Sequence, residues 1–187
     1  MSPARAAVFL DRDGVLVQDR GLVTRPEQLV LCEGAAEAVG RLDALGFVLV
    51  VVTNQAVVAR GLVDLDQLAD IHRALLTQLG GGVAKVFACP HHPDADVAEY
   101  RVSCTCRKPE PGMILQAAAE LDLDLSRSWM VGDRPSDVAA GFAAGCRTAL
   151  IESGRHLDAP IRTARPFEAA EPDLRVPSLA EFVERLT

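Results

Sequence analysis

Residues 47–52, Phe-Val-Leu-Val-Val-Val, form an unbroken apolar run that ends on the polar triplet Thr53-Asn54-Gln55. Six apolar side chains in succession cannot leave alternate positions in water. Such a segment reads as a strand buried on both faces, which is the habit of parallel sheets covered by helices. The pattern recurs along the chain. Residues 6–10 lead into Asp11-Arg12-Asp13-Gly14, 83–88 into Cys89-Pro90-His91-His92, and 128–131 into Gly132-Asp133, with further runs at 147–151 and 174–176. Helical patterns fall between them at 33–45, 65–79, 111–121 and 136–144, and three of these stop at Gly46, Gly80 and Gly145. A polar, Pro-bearing stretch follows residue 151, and 178–186 reads as a capped terminal helix. Strand and helix in alternation predict an α/β fold: a doubly wound, mainly parallel, Rossmann-like sheet with helices on both faces.

A chain of 187 residues is expected to form one domain, residues 1–187. Apolar residues at 49% and charged residues at 24% suit a globular fold rather than a disordered one. No segment approaches the ~20 apolar residues of a membrane helix, and residues 1–10 lack the tripartite pattern of a signal peptide. A net charge of −7 weighs against a nucleic-acid or anionic-membrane surface. Five cysteines, an odd number without an export signal, argue against a disulfide framework and for the cytoplasm. The expected partner is a small molecule, and the expected state a monomer.

Sites in such sheets form just beyond the carboxyl ends of the strands. The polar residues fall there: Asp11 and Asp13 after the first strand, Thr53 and Asn54 after the second, Cys89 and His91 after the third, Asp133 after the fourth. If the first and fourth strands are neighbours, Asp11, Asp13 and Asp133 converge. Three carboxylates brought together repel unless a cation intervenes. A hard divalent ion with oxygen ligands resolves this, and Mg²⁺ is the usual choice. Such a site suits phosphoryl transfer, in which the metal and cationic donors neutralise phosphate charge so that a carboxylate can attack phosphorus. Asp11, nearer its strand, is the expected nucleophile, forming an aspartyl-phosphate, and Asp13 the expected acid and base. Thr53 offers a hydroxyl, Asn54 an amide, and Lys108 (one of only two lysines beside 17 arginines) a compact cation.

With Asp11-Arg12-Asp13-Gly14, Thr53-Asn54-Gln55, Arg107-Lys108-Pro109 and Gly132-Asp133-Arg134-Pro135-Ser136-Asp137 in that order, the chain resembles the haloacid dehalogenase superfamily of phosphatases. More narrowly it is similar to the histidinol-phosphatase subfamily and, within it, to the heptose bisphosphate phosphatases. The features that carry this are Val51-Val52-Thr53-Asn54-Gln55, Ala59-Arg60-Gly61, Cys89-Pro90-His91-His92-Pro93 and Cys104-Thr105-Cys106-Arg107-Lys108-Pro109. The resemblance implies that Asp11 is nucleophile and Mg²⁺ ligand, and that Asp13 is acid and base, reaching the metal through its carbonyl. It implies that Thr53 and Lys108 hold the phosphoryl group, that Asp133 binds Mg²⁺, and that Asp137 supports it. It gives Arg107 a role in reading the substrate, with Asn54, Gln55 and Arg60 lining the site. Three positions depart from the family pattern: Ala56-Val57-Val58 replaces Ser-Gly-Ile, Leu22 stands where an aromatic is frequent, and Arg134 stands for the common Lys. All three bear on which sugar or alcohol is preferred, and Arg134 is counted with the substrate-binding set.

Cys89-x-His91 and Cys104-x-Cys106 supply two S/N pairs, the makings of a closed tetrahedral structural Zn²⁺ site in a loop over 89–107. By spacing His92 is as available as His91; the family pattern favours His91. The loop runs straight into Arg107-Lys108, so zinc would hold two cations against the phosphate site. Cys32 and Cys146 have no place in this scheme and are expected to be buried small apolar residues. Only 41 residues separate Asp11 from Thr53, which leaves no room for a cap domain. The site is therefore expected to be open, with loops 18–30 and 89–107 selecting the substrate. The leading expectation is Mg²⁺-dependent hydrolysis of a heptose 1,7-bisphosphate to the 1-phosphate. The alternatives are a histidinol-phosphate phosphatase and a zinc-stabilised interaction module without catalysis. A polynucleotide 3′-phosphatase is disfavoured by the acidic balance and by one Trp and one Tyr, too few for base stacking.

Overall fold

The computed structural model describes residues 4–154 and 170–187. Among these, six strands form one sheet: β1 (Ala7–Leu10), β2 (Val48–Asn54), β3 (Val83–Cys89), β4 (Trp129–Gly132), β5 (Arg147–Ile151) and β6 (Leu174–Val176). Their order is β3-β2-β1-β4-β5-β6, and every pairing is parallel. The helices are α1 (Ala35–Ala44), α2 (Ala56–Ala59), α3 (Leu65–Leu79), α4 (Gly112–Leu121), α5 (Pro135–Ala144) and α6 (Leu179–Leu186). This is the doubly wound architecture expected, with nothing antiparallel in the sheet. Most of the Pro-bearing stretch after β5, residues 155–169, lies outside the described residues.

The two-residue period of a strand sorts the core into two layers. Val8 and Leu10 of β1 join Leu49, Val51, Trp129, Val131 and Ile151 on one face, under α1, α3 and α6. Ala7 and Phe9 join Val50, Val52, Phe87 and Met130 on the other, under α4 and α5. Both faces are dry, which is why β2 reads as an unbroken apolar run. Phe182 of α6 is fully buried and meets Trp129 edge-on, ring centroids 5.3 Å apart.

Several boundaries differ from expectation for identifiable reasons. Gly34, at φ +71°, is outside helical geometry, so α1 begins at Ala35 instead of 33. Its buried face is Ala35, Ala38, Val39 and Leu42, rotated from the expected Ala36-Val39-Leu42-Leu45 stripe; Leu45 lies past the last helical residue and is 46% exposed. Thr53 and Asn54 are the last residues of β2 rather than its sequel. The turn of helix α2 was not foreseen; Val57 and Val58, two of the family departures, are buried in it. Cys146 is buried as expected, but Cys32 is only half-buried, packed against the edge of the core.

The chain runs outward from β1 through β2 to β3, then returns to lay β4 on the other side of β1. A crevice therefore opens at the carboxyl ends of β1 and β4, the switch point where ligands settle in such sheets. The segments that border it, between β1 and α1 and between β3 and α4, are loops with single 3₁₀ turns at Pro26–Gln28 and Ala98–Tyr100 and contain no cap domain. No helix among the described residues is long and apolar enough to cross a membrane.

Truncating Phe182 to Ala leaves a cavity beneath Trp129. Urea denaturation of this variant is expected to show a loss of about 3–5 kcal/mol, the range for buried aromatic truncations.

Candidate active site

Parallel pairing carries Asp11 and Asp133 past the ends of neighbouring strands. Leu10 is in register with Val131, and the Asp11 N–H still donates to the Val131 carbonyl at 2.9 Å. Asp133 follows Gly132, the final residue of β4, and is fully buried. Side-chain oxygens of Asp11, Asp133 and Asp137 lie within 4.8 Å of one another. Two glycines make that crowding sterically possible. A Cβ on Gly14, whose φ is +84°, would sit 1.9 Å from Asp133 Oδ2, and one on Gly132 would sit 2.1 Å from Asp137 Cβ.

The buried Lys108 ammonium stands among these acids. It meets Asp11 Oδ1 at 2.9 Å and Asp137 Oδ1 at 2.7 Å, and donates to the Val52 carbonyl at 2.9 Å. The Val52 contact is a hydrogen bond, and the two carboxylates hold the ammonium as ion pairs. Burial works against its charge, but Asp11 and then Asp137 outweigh this and hold its pKa above the ordinary lysine value. Asp11 Oδ1 also accepts the Arg12 N–H at 2.7 Å. Lys108 is itself fixed by Asn54, which accepts from its N–H at 3.0 Å and donates to its carbonyl at 3.1 Å. Asn54 thus grips the main chain of Lys108 as well as lining the cavity.

Asp13 is held separately. Arg12, 1% exposed, donates through Nε and Nη2 to Oδ1 at 3.0 and 2.9 Å, and through Nη2 to Oδ2 at 2.9 Å. Gln55 Nε2 donates both to Asp13 Oδ2 at 2.9 Å and to Thr53 Oγ1 at 2.8 Å. Burial raises the Asp13 pKa; Arg12 pulls it back and Asp11 pushes it up, with a net rise. The carboxylate cluster therefore contains Asp137 where the sequence set Asp13, whose carboxylate faces Arg12 and Gln55. That arrangement suits a residue reaching a metal through its carbonyl only.

A cavity of about 310 Å³ opens over these groups. Arg60, Arg107 and Arg134 line it with Lys108, as does Leu22 from the loop after β1. Arg107 is buried, its Nη1 donating to the His91 carbonyl at 3.0 Å, while Arg60 is exposed. Arg134 bridges to Asp19 at 3.2 Å. Thr53 and Asp133 lie in the wall behind the cavity rather than among its lining residues.

The cluster fits a divalent cation. Asp133 Oδ1 is buried without a hydrogen-bond partner, and Oδ2 accepts from Ser153 Oγ at 2.9 Å. Burial, then Asp11 and Asp137, raise the Asp133 pKa to about 8, and burial raises that of Asp137 to about 6 against the pull of Lys108. A positive charge at the cluster would reverse this.

The second constellation is equally compact. Cys89 Sγ lies 3.7 Å from Cys104 Sγ, 3.1 Å from Cys106 Sγ and 3.6 Å from His91 Nδ1, which is 3.3 Å from Cys106 Sγ. Thiolates ~2.3 Å from a central zinc would be ~3.8 Å apart, so the donor set has the size of a tetrahedral site. Cys106 is pulled down to about 5, chiefly by its hydrogen bond with Cys89. The choice that spacing left open falls on His91. His92 turns away, accepts the Asp94 N–H on Nδ1 at 3.0 Å, and lines the active-site cavity.

Sequence reasoning missed Arg12 and His92 as members of the site, and missed the contact that Ser153 makes with Asp133 from outside the cavity lining. Arg12 carried one signal, its position between the two aspartates of one turn. Ser153, past the end of β5, carried none.

Carboxylates from adjacent strand tips, a buried lysine and a cation-lined crevice define a hydrolase of the haloacid dehalogenase type, and the HAD-hydrolase-like family profile matches residues 105–182. The D-glycero-beta-D-manno-heptose-1,7-bisphosphate 7-phosphatase of Yersinia pestis is 37% identical over 188 residues, covering 97% of this chain and 95% of that one. The D-glycero-alpha-D-manno-heptose-1,7-bisphosphate 7-phosphatase of Burkholderia mallei is 43% identical over 148 residues, covering 78% of each. A crystal structure of the D,D-heptose 1,7-bisphosphate phosphatase of B. bronchiseptica complexed with magnesium and phosphate superposes with a TM-score of 0.79 at 36% identity, covering 97% of each chain. The chain belongs to the heptose-1,7-bisphosphate 7-phosphatase family.

Because the folded Asp133 pKa is raised, the native state binds more protons than the unfolded one between about pH 4 and pH 8. In magnesium-free buffer, stability is therefore expected to fall as pH rises through that window. Urea midpoints measured from pH 4 to 8 should decline more steeply for the wild type than for Asp133→Asn; parallel curves would contradict the assignment.

Proposed function

We propose that this chain is a single phosphatase domain, residues 1–187, that hydrolyses D-glycero-D-manno-heptose 1,7-bisphosphate to the 1-phosphate with magnesium as cofactor and zinc as a structural ion. The observation that carries the reading is the Asp11–Lys108–Asp137 ion pairing beside Asp133 at the β1/β4 crevice. Magnesium held by the Asp11 and Asp133 side chains and the Asp13 carbonyl would neutralise phosphate charge, letting an anionic carboxylate approach phosphorus.

The protein groups divide the chemistry. Lys108 and the Arg12 N–H engage Asp11 Oδ1, which leaves Oδ2 as the attacking atom. Its bond to phosphorus forms as the bond from phosphorus to the sugar O7 breaks, and Asp13 gives its proton to the departing alkoxide. Asp13, then ionised, takes a proton from water. The water oxygen attacks phosphorus, breaking the acyl-phosphate bond, freeing inorganic phosphate and regenerating Asp11. Thr53 Oγ1 accepts from Gln55, which leaves its hydroxyl proton for donation to the phosphoryl group. Arg60, Arg107 and Arg134 supply positive charge for the remainder of a doubly phosphorylated sugar.

Asp11→Asn is expected to abolish phosphate release while the circular dichroism spectrum stays that of the folded protein; turnover at the wild-type rate would remove the mechanism. The named relatives differ in anomer, so kcat/KM on the alpha and beta bisphosphates and on histidinol phosphate, side by side, ranks the substrate readings. Higher kcat/KM on histidinol phosphate would transfer the assignment to that activity.

The thiolate and imidazole donors at tetrahedral size support a resident zinc at Cys89, His91, Cys104 and Cys106. Elemental analysis is expected to find about one zinc per chain, and Cys104→Ser should lower both zinc content and thermal stability. A zinc-free wild type, with the variant equally stable, would refute this part of the reading.

A further inference from the structure

Four strand tips carry the motif residues, and the fifth adds a contact that no motif contains. Ser153 lies just past β5, whose Leu150 is in register with Gly132 of β4. The Glu152 N–H donates to the Val176 carbonyl at 2.9 Å, which ties this end of β5 to β6. Sheet pairing thus delivers Ser153 beside Asp133, and Ser153 Oγ donates to Asp133 Oδ2 at 2.9 Å. The same oxygen lies close to Gly14, where a Cβ would come within 1.9 Å. A carboxylate bonded at one oxygen and walled in by backbone has little freedom to rotate. Its second oxygen, Oδ1, is buried without a protein hydrogen-bond partner.

We propose that Ser153 is a positioning residue for the divalent-cation site: its hydroxyl fixes Asp133 Oδ2, so that Oδ1 is the oxygen presented to the cation. The inference rests on the magnesium reading above. Hydrogen bonds to the free oxygen of a ligating carboxylate fix its orientation, and their loss costs ~10–100-fold in metal affinity. With Ala at 153, Asp133 keeps its charge and its place on the main chain but loses its anchor, and the cation then has to order the carboxylate on binding. Thr retains the hydroxyl on the same carbon.

The test is isothermal titration of Mn²⁺, as a magnesium probe, into purified protein retaining its native metal at the cysteine cluster. Wild type, Asp133→Asn, Ser153→Ala and Ser153→Thr are compared. Asp133→Asn is expected to abolish the binding isotherm, Ser153→Ala to weaken Mn²⁺ about 10-fold, and Ser153→Thr to stay within about 3-fold of wild type. In phosphate-release assays the half-saturating Mg²⁺ concentration for Ser153→Ala should rise by the same factor, while kcat at saturating Mg²⁺ and KM for substrate remain at wild-type values. Zinc content should be unchanged, and the melting temperature in magnesium-free buffer should be restored to wild type by Ser153→Thr, which keeps the hydroxyl. Wild-type Mn²⁺ affinity in Ser153→Ala overturns the proposal and leaves the metal site standing. Equal binding by wild type and Asp133→Asn removes the metal site and the Ser153 proposal together.

Discussion

A buried ammonium paired with two carboxylates and one carbonyl organises this active site. Lys108 joins the first strand tip through Asp11, the second through the Val52 carbonyl, and helix α5 through Asp137. Unpaired, any of these acids would be expensive to hold ionised at such burial, and so would the lysine. Together they compensate one another. Asn54 completes the arrangement by gripping the main chain of Lys108 from the last residue of β2. The geometry of the site is thereby coupled to the sheet.

That pairing also separates two chemical tasks. The Asp11, Asp133 and Asp137 side chains crowd on the side where a cation fits, whereas the Asp13 carboxylate is turned onto Arg12 and Gln55. Two carboxyls only two residues apart therefore sit in different electrostatic surroundings, the condition under which paired acids can divide two tasks. Gln55 links the second of these to Thr53, so the Asp13 carboxylate and the Thr53 hydroxyl share a donor. Glycine is part of the same construction, since Gly14 and Gly132 yield the space that Asp133 and Asp137 occupy.

The cysteine cluster extends this rigidity to the rim. Cys89 is the last residue of β3, and Cys106 directly precedes Arg107 and Lys108, so closing the loop over 89–107 fixes the cationic pair against the crevice. The Arg107 bond to the His91 carbonyl ties guanidinium and cluster together. His92, adjacent to a cluster member, is aimed into the cavity by its bond to the Asp94 N–H. The loop thus contributes both a support and part of the binding wall.

Much of this was legible in the chain itself. The run over 47–52, the glycine stops and the polar residues after each apolar run specify a parallel sheet with its site on one edge, because periodicity and turn chemistry are local properties. Asp11, Asp133 and Cys89 could be named for the same reason, since their chemistry and their positions at strand ends are written in order, while Lys108 and the other Cys/His donors stood out by residue type and spacing. Folding in three dimensions decided the rest. The entry of Asp137 into the carboxylate cluster, the turning of Asp13 onto Arg12, the choice of His91 over His92, the rotated face of α1 and the approach of Ser153 to Asp133 each depend on where a side chain points once distant segments pack. Ser153 and Asp133 follow different strands and meet through the β4–β5 register, and no local pattern encodes a contact made by two chain segments that find each other through the sheet.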